Sequence, residues 1–169
     1  VMENKDTQKS LTIGSNLGPL HTSYIGIGFG SDQNSQKSNT LIIGNFSGTN
    51  ISGTKNVVVG HDAFLSNTPS TCANNISIGH ESMKNTKDSS RNIAIGTCAG
   101  KNSMSHGSIW IGNNMGNNSN TNSQLIIGNN DDNFIIDGIM GDSAASSICN
   151  INAKYIFFSG SSNLHNNTH

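Results

Sequence analysis

Eight glycines limit what this chain can fold into. Gly14, Gly28, Gly44, Gly60, Gly79, Gly96, Gly112 and Gly128 close variants of one short phrase, clearest in Thr40-Leu41-Ile42-Ile43-Gly44, Asn56-Val57-Val58-Val59-Gly60 and Asn92-Ile93-Ala94-Ile95-Gly96. The phrase is a polar residue, an apolar one, a variable one, a second apolar one, then glycine. Successive glycines are 14, 16, 16, 19, 17, 16 and 16 residues apart. A short period this persistent marks a repeat architecture, with one supersecondary unit per repeat. Within each unit the apolar residues alternate with period two, as in a short strand with one buried face. Ile13, Ile27, Ile43, Val59, Ile78, Ile95, Ile111 and Ile127 are then expected to stack as one interior ladder. Leu11, Ile25, Leu41, Val57, Ile76, Ile93, Ile109 and Leu125 form a second. Glycine after the strand suits a corner that needs positive φ. The four residues beyond it, such as Thr97-Cys98-Ala99-Gly100, are predicted to make another short strand. Polar linkers at 66–74 and 84–90 absorb the drift in period.

Composition alone points towards disorder, with hydrophobic residues at 33% and aromatics at 5% of the 169 residues. Charged residues are only 11% and net charge is −1, however, unlike the highly charged chains that stay unfolded. With no Lys/Arg cluster, nucleic acid is not an expected partner. No window is apolar for long enough to span a bilayer, so membrane insertion is not expected either. Cys72, Cys98 and Cys149 are odd in number and lack metal-ligand spacing; they read as small buried or free thiols, and no cofactor is expected. The predicted organisation is a polar, frayed lead-in at 1–10, a repeat head at 11–130, a β cap or neck at 131–160 and a polar tail at 161–169.

The closest instance of the phrase, Arg91-Asn92-Ile93-Ala94-Ile95-Gly96-Thr97-Cys98-Ala99, resembles the Asn-x-Val-Ala-Ile-Gly-x-x-Ser/Ala repeat of trimeric autotransporter adhesin heads. It is also similar to head repeats in phage and large-virus fibres, and the likeness covers 11–130. The resemblance implies an all-β fold: a left-handed parallel β-roll, or β-solenoid, of about eight coils, packed as a homotrimer and displayed on a virion surface or otherwise extracellularly. The longer, irregular spacing departs from the bacterial repeat and points towards viral fibre heads. The change of pattern at 125–141 resembles the end of fibre heads that lead into a C-terminal chaperone. A trimer also has a physical argument. A roll of ~16 residues per coil encloses little volume, and small cores need staples or association. No disulfide framework is present, so trimerisation would bury a third face of each coil.

In-phase coils stack equivalent residues one strand spacing apart, ~4.8 Å. The place after glycine reads Asn45, His61, His80, Thr97, Asn113, and the next reads Phe46, Asp62, Glu81, Cys98, Asn114. His61, Asp62, His80 and Glu81 are therefore the candidate catalytic cluster, as a general acid/base pair or a two-His, two-carboxylate metal site. Paired carboxylates suit glycoside hydrolysis, and a His beside an acid suits β-elimination from a uronic acid. The alternative is that these are solvent-facing turn residues. Asp131, Asp132, Asp137 and Asp142 form an acidic stretch whose spacing matches no calcium loop, so they read as turn formers. His165 and His169 could meet at a threefold axis, or belong to a mobile tail. Trp110, Tyr24 and Phe46 are candidate sugar-binding aromatics if they face outward; Trp110 could equally fill a trimer interface. The expected function is a fibre or adhesin head that binds host-surface polysaccharide. The alternatives are a fibre-borne polysaccharide lyase or glycoside hydrolase, and a purely architectural spacer.

Overall fold

The structure is a computed structural model that describes residues 2–5, 10–17, 22–33, 37–129, 133–139 and 149–150. Among the described residues the strands are β1 (Met2–Lys5), β2 (Ser10–Ser15), β3 (Thr22–Phe29), β4 (Lys37–Ile43), β5 (Ile51–Thr54), β6 (Val57–Val59), β7 (Ser70–Thr71), β8 (Ile76–Ile78), β9 (Ile93–Ile95), β10 (Ile109–Ile111), β11 (Gln124–Asn129), β12 (Asn133–Ile139) and β13 (Cys149–Asn150). The chain is an all-β parallel solenoid of about 7 turns. Strands β2, β3, β4, β6, β8, β9, β10 and β11 lie side by side in that order, each supplied by one copy of the glycine phrase. Pairing is parallel and in phase: Leu41 faces Val57, Val57 faces Ile76, and Ile76 faces Ile93. The antiparallel β1 closes one edge of this sheet, and β12 with β13 closes the other. Residues 2–5 pair with Ser10, Leu11, Thr12 and Ile13 of the first coil.

The two aliphatic ladders exist, but they point out of the coil. In β6, β8 and β10 the middle residue is buried while both flanking residues keep partial exposure. Thr12, Ile42, Val58, Ser77, Ala94, Trp110 and Ile126 face inward. Among the outward residues, Ile25 is 42% and Ile95 36% exposed. Period two shows which residues share a face without saying which face is inside; here the inside takes the variable residue.

At Trp110 that residue is matched to the wall opposite. The fourth place after the corner glycine is Gly48, Phe64, Met83, Gly100 and Gly116 in successive coils, and Phe64 and Met83 are fully buried there. Ser77 Oγ is hydrogen-bonded to Ser82 within its coil, and Met83 packs against Gly100 of the next one. Trp110, the largest inner residue, lies against Gly100 and Gly116: a Cβ on Gly100 would be 2.6 Å from the indole ring, and one on Gly116 would fall 2.5 Å from its Cγ. Large and small side chains interlock through the thin core, as close packing requires.

The polar residue that opens each phrase also has an interior role. Asn56, Asn75, Asn92 and Ser108 are essentially inaccessible and form a continuous ladder. The backbone N–H of Asn75 donates to Asn56 Oδ1 at 3.0 Å, that of Asn92 to Asn75 Oδ1 at 2.9 Å, and that of Ser108 to Asn92 Oδ1 at 2.8 Å. Their side-chain amides donate across the coil to the carbonyls of Cys72, Ser89 and Ser105. The buried amides of Asn56, Asn75 and Asn92 are thereby paired through both their oxygen and their nitrogen.

Candidate functional site

Beyond Gly44, Gly60, Gly79, Gly96 and Gly112 the chain forms a stacked turn, and among the described residues no second strand of the predicted kind appears there. Phe46, Asp62, Glu81, Cys98 and Asn114 all take left-handed φ, between 54° and 64°. This bend leaves the residue before it outside and turns the residue after it inward, as with exposed His80 and buried Ser82. Backbone bonds join turn to turn: Asp62 N–H donates to Asn45 O, Glu81 N–H to His61 O, and Cys98 N–H to His80 O, at 2.9–3.0 Å.

This stacking brings together the cluster anticipated from the glycine spacing. The rings of His61 and His80 are stacked at 5.6 Å with an interplanar angle of 26°, both exposed. His61 Nδ1 lies 3.4 Å from Asp62 Oδ1. The carboxylates are committed elsewhere. Lys84 Nζ bridges Asp62 Oδ2 at 2.8 Å and Glu81 Oε1 at 2.7 Å, and Lys101 Nζ reaches Glu81 Oε2 at 2.6 Å. Hydrogen bonds from Lys101 and then Lys84 hold the Glu81 carboxyl down at about 2. The same kind of contact, from Asp62 and then Glu81, raises Lys84. Cys98 Sγ packs 3.6 Å from Glu81 Oε2, and its thiol is raised chiefly by burial. Cys72 is buried inside the coil and its thiol is pushed up to about 11. Among the described residues no group of three or more His, Cys, Asp or Glu is placed to hold a metal ion.

Lys84 and Lys101 were not anticipated, although the sequence carries their signal. Each stands five places after its corner glycine, Gly79 and Gly96, so the two share a column beside the carboxylates. The aromatic candidates divide. Trp110 and Tyr24 are 0% and 2% exposed inside the coil, so the expectation that they face outward is corrected. Phe46 does face outward, 37% exposed, beside the unanticipated Phe29 at 46%. Phe29 opens the column that continues through Asn45 to His61. The side chains of Asp131, Asp132, Asp137 and Asp142, together with His165 and His169, lie outside the described residues.

The depressed Glu81 gives a signed pH prediction. Its stabilising contribution is complete above the ordinary carboxyl value of 4.5 and is lost as pH falls through about 2. At a side chain about one-fifth exposed, solvent screening reduces this to about 1–2 kcal/mol. Denaturant midpoints at pH 7, 4.5 and 2 are therefore expected to fall mainly over the last interval. Glu81→Gln is expected to flatten that fall.

The fold and this corner define a parallel β-solenoid with an ionic and imidazole-lined edge. Comparison of the chain with protein-family models, curated proteins and solved structures finds no match.

Proposed function

We propose that the chain is a trimeric fibre or adhesin head, displayed on a virion or another extracellular surface, that binds host-surface polysaccharide. The observation that carries it is the pair of outward aliphatic ladders. They form one continuous apolar face along the solenoid, and exposed apolar faces of that extent mark association sites. Within the second ladder, Ile25, Leu41 and Val57 line an open groove of about 370 Å³, together with Ser23, Asn39 and Lys55. Two further copies of the same face would cover this surface and close the assembly, adding the burial that a thin coil lacks.

The irregular lengths of the coils support display. The exposed segments Asn67-Thr68-Pro69, Lys87-Asp88 and Thr121-Asn122, with Met104, fall at the same stage of successive coils. Insertions that line up on one flank of a solenoid commonly form its binding face. The ionic corner favours binding over turnover. A glycosidase needs one carboxyl protonated near neutrality, whereas Glu81 is held ionised by two lysines.

Light scattering tests the assembly: three times the chain mass is expected, and Ile78→Glu is expected to leave a folded monomer. A monomeric wild type would end the trimer reading. Incubation with cell-wall and capsular polysaccharides is expected to give retention without new reducing ends or unsaturated uronates. Turnover abolished by Glu81→Gln or His80→Ala would establish the degrading enzyme instead, and no retention at all would leave an architectural spacer.

A further inference from the structure

The described part of the chain exposes two phenylalanines side by side, although aromatics are only 5% of its residues. Phe29 and Phe46 meet edge to face at 5.5 Å, Phe46 and His61 at 6.3 Å, and His61 and His80 stack at 5.6 Å. The four rings form an unbroken stripe along the solenoid axis, one per coil. It ends where the column after glycine becomes Thr97 and Asn113.

We propose that this stripe is a track for a linear, uncharged polysaccharide lying along the solenoid axis, with one sugar ring over each coil. The inference rests on the polysaccharide-binding reading and gives it a location and a ligand class. Spacing is the first argument. The rings follow one another at 5.5, 6.3 and 5.6 Å, steps comparable to the length of one pyranose ring, so consecutive sugars of an extended chain can each meet one aromatic ring. Chemistry is the second. Exposed phenyl rings offer apolar surface to the C–H faces of sugars, and stacked imidazoles keep their faces covered while their edges carry nitrogens that bond hydroxyls. Charge is the third. Asp62 and Glu81 are neutralised by Lys84 and Lys101 beside the stripe. The net charge of −1 supplies no field to attract a polyanion.

The test is titration calorimetry of the full chain with cello- and chito-oligosaccharides of two to six rings, with polygalacturonate as the anionic comparison. Affinity is expected to rise at least about tenfold from two rings to four and then level off, because the track has four rungs. Histidine ring resonances of His61 and His80 are expected to move on binding. Phe46→Asn, which suits left-handed φ, and His80→Ala are each expected to weaken the four-ring ligand at least about fivefold. Their thermal midpoints and molecular mass should match those of the parent.

Binding that both variants leave untouched would overturn the track while leaving a glycan site elsewhere. So would a preference for polygalacturonate, or a change of oligomeric mass in Phe46→Asn, which would make the stripe a contact between copies. No affinity for the neutral oligomers, with retention of other polysaccharides, would overturn the track alone. No affinity for any polysaccharide would remove both readings.

Discussion

Gly79→Ala is expected to destabilise the solenoid by about 4 kcal/mol or more, beyond the usual range for one substitution. Gly107→Ala is expected to lower stability by only about 1 kcal/mol. Both glycines have positive φ, 131° and 68°. The difference lies in what a methyl group would meet. On Gly79 it would sit 2.7 Å from the carbonyl carbon of Gly96 and closer still to its oxygen, so backbone would press on backbone. On Gly107 the nearest atom is Ser123 Oγ, at 3.7 Å. Relief at Gly79 requires two coils to move apart, and the hydrogen bonds that join them would stretch with the methyl group still in place. Gly44, Gly60, Gly96 and Gly112 stand against the next corner glycine in the same way. Each is therefore fixed both by its own backbone angle and by its neighbour. Denaturation curves at one fixed protomer concentration provide the measurement, since assembly would otherwise shift the midpoints. Equal losses for the two variants would mean that strain in φ alone, rather than the glycine stack, dictates the repeat.

That stack explains why so much of the fold was legible in the sequence. Eight glycines in phase fix the coil boundaries, and the parallel pairing of β2, β3, β4, β6, β8, β9, β10 and β11 in that order follows from aligning them, whereas the pairing of β5 with β4 and β7 does not. The same alignment put His61 under His80 and Asp62 under Glu81, because these residues sit one and two places from a glycine whose position is fixed. What remained hidden depends on side-chain reach and on facing. Lys84 and Lys101 occupy one column, but knowing that their amines fold back onto Asp62 and Glu81 requires the left-handed bend after each glycine. Trp110 reads as a variable residue and a candidate sugar platform until Gly100 and Gly116 are seen on the opposite wall. The aliphatic ladders have the pattern of a core and face outward, because period-two alternation is the same from either side of a sheet. Residues 2–5 carry no copy of the phrase, and their pairing with Ser10, Leu11, Thr12 and Ile13 is visible only in three dimensions.

Asn92→Ala tests the interior half of the same design and is expected to lower stability by about 2–4 kcal/mol. The substitution removes an acceptor and a donor at once. The Ser108 N–H loses its partner Oδ1 and the Ser105 carbonyl loses the side-chain amide, both in a region closed to water. Because coils contact only their neighbours, the damage falls on the junctions either side of β9 and weakens the array at its middle. Hydrogen exchange at the Ser108 amide is expected to accelerate ahead of exchange in β3 and β4. Asn92→Asp separates shape from hydrogen bonding. The aspartate keeps an acceptor for Ser108 but presents a carboxylate to the Ser105 carbonyl, and burial raises its folded pKa above the unfolded value of about 4. The charged form is thus penalised when pH exceeds the folded pKa, and the penalty disappears below the unfolded one, where the protonated oxygen donates to Ser105. The variant should therefore be far weaker than the parent at pH 7 and approach it near pH 4, before the Glu81 contribution is lost. A pH-independent deficit in Asn92→Asp would show that packing, and not the donor–acceptor ladder, is what the opening polar residue of each phrase supplies.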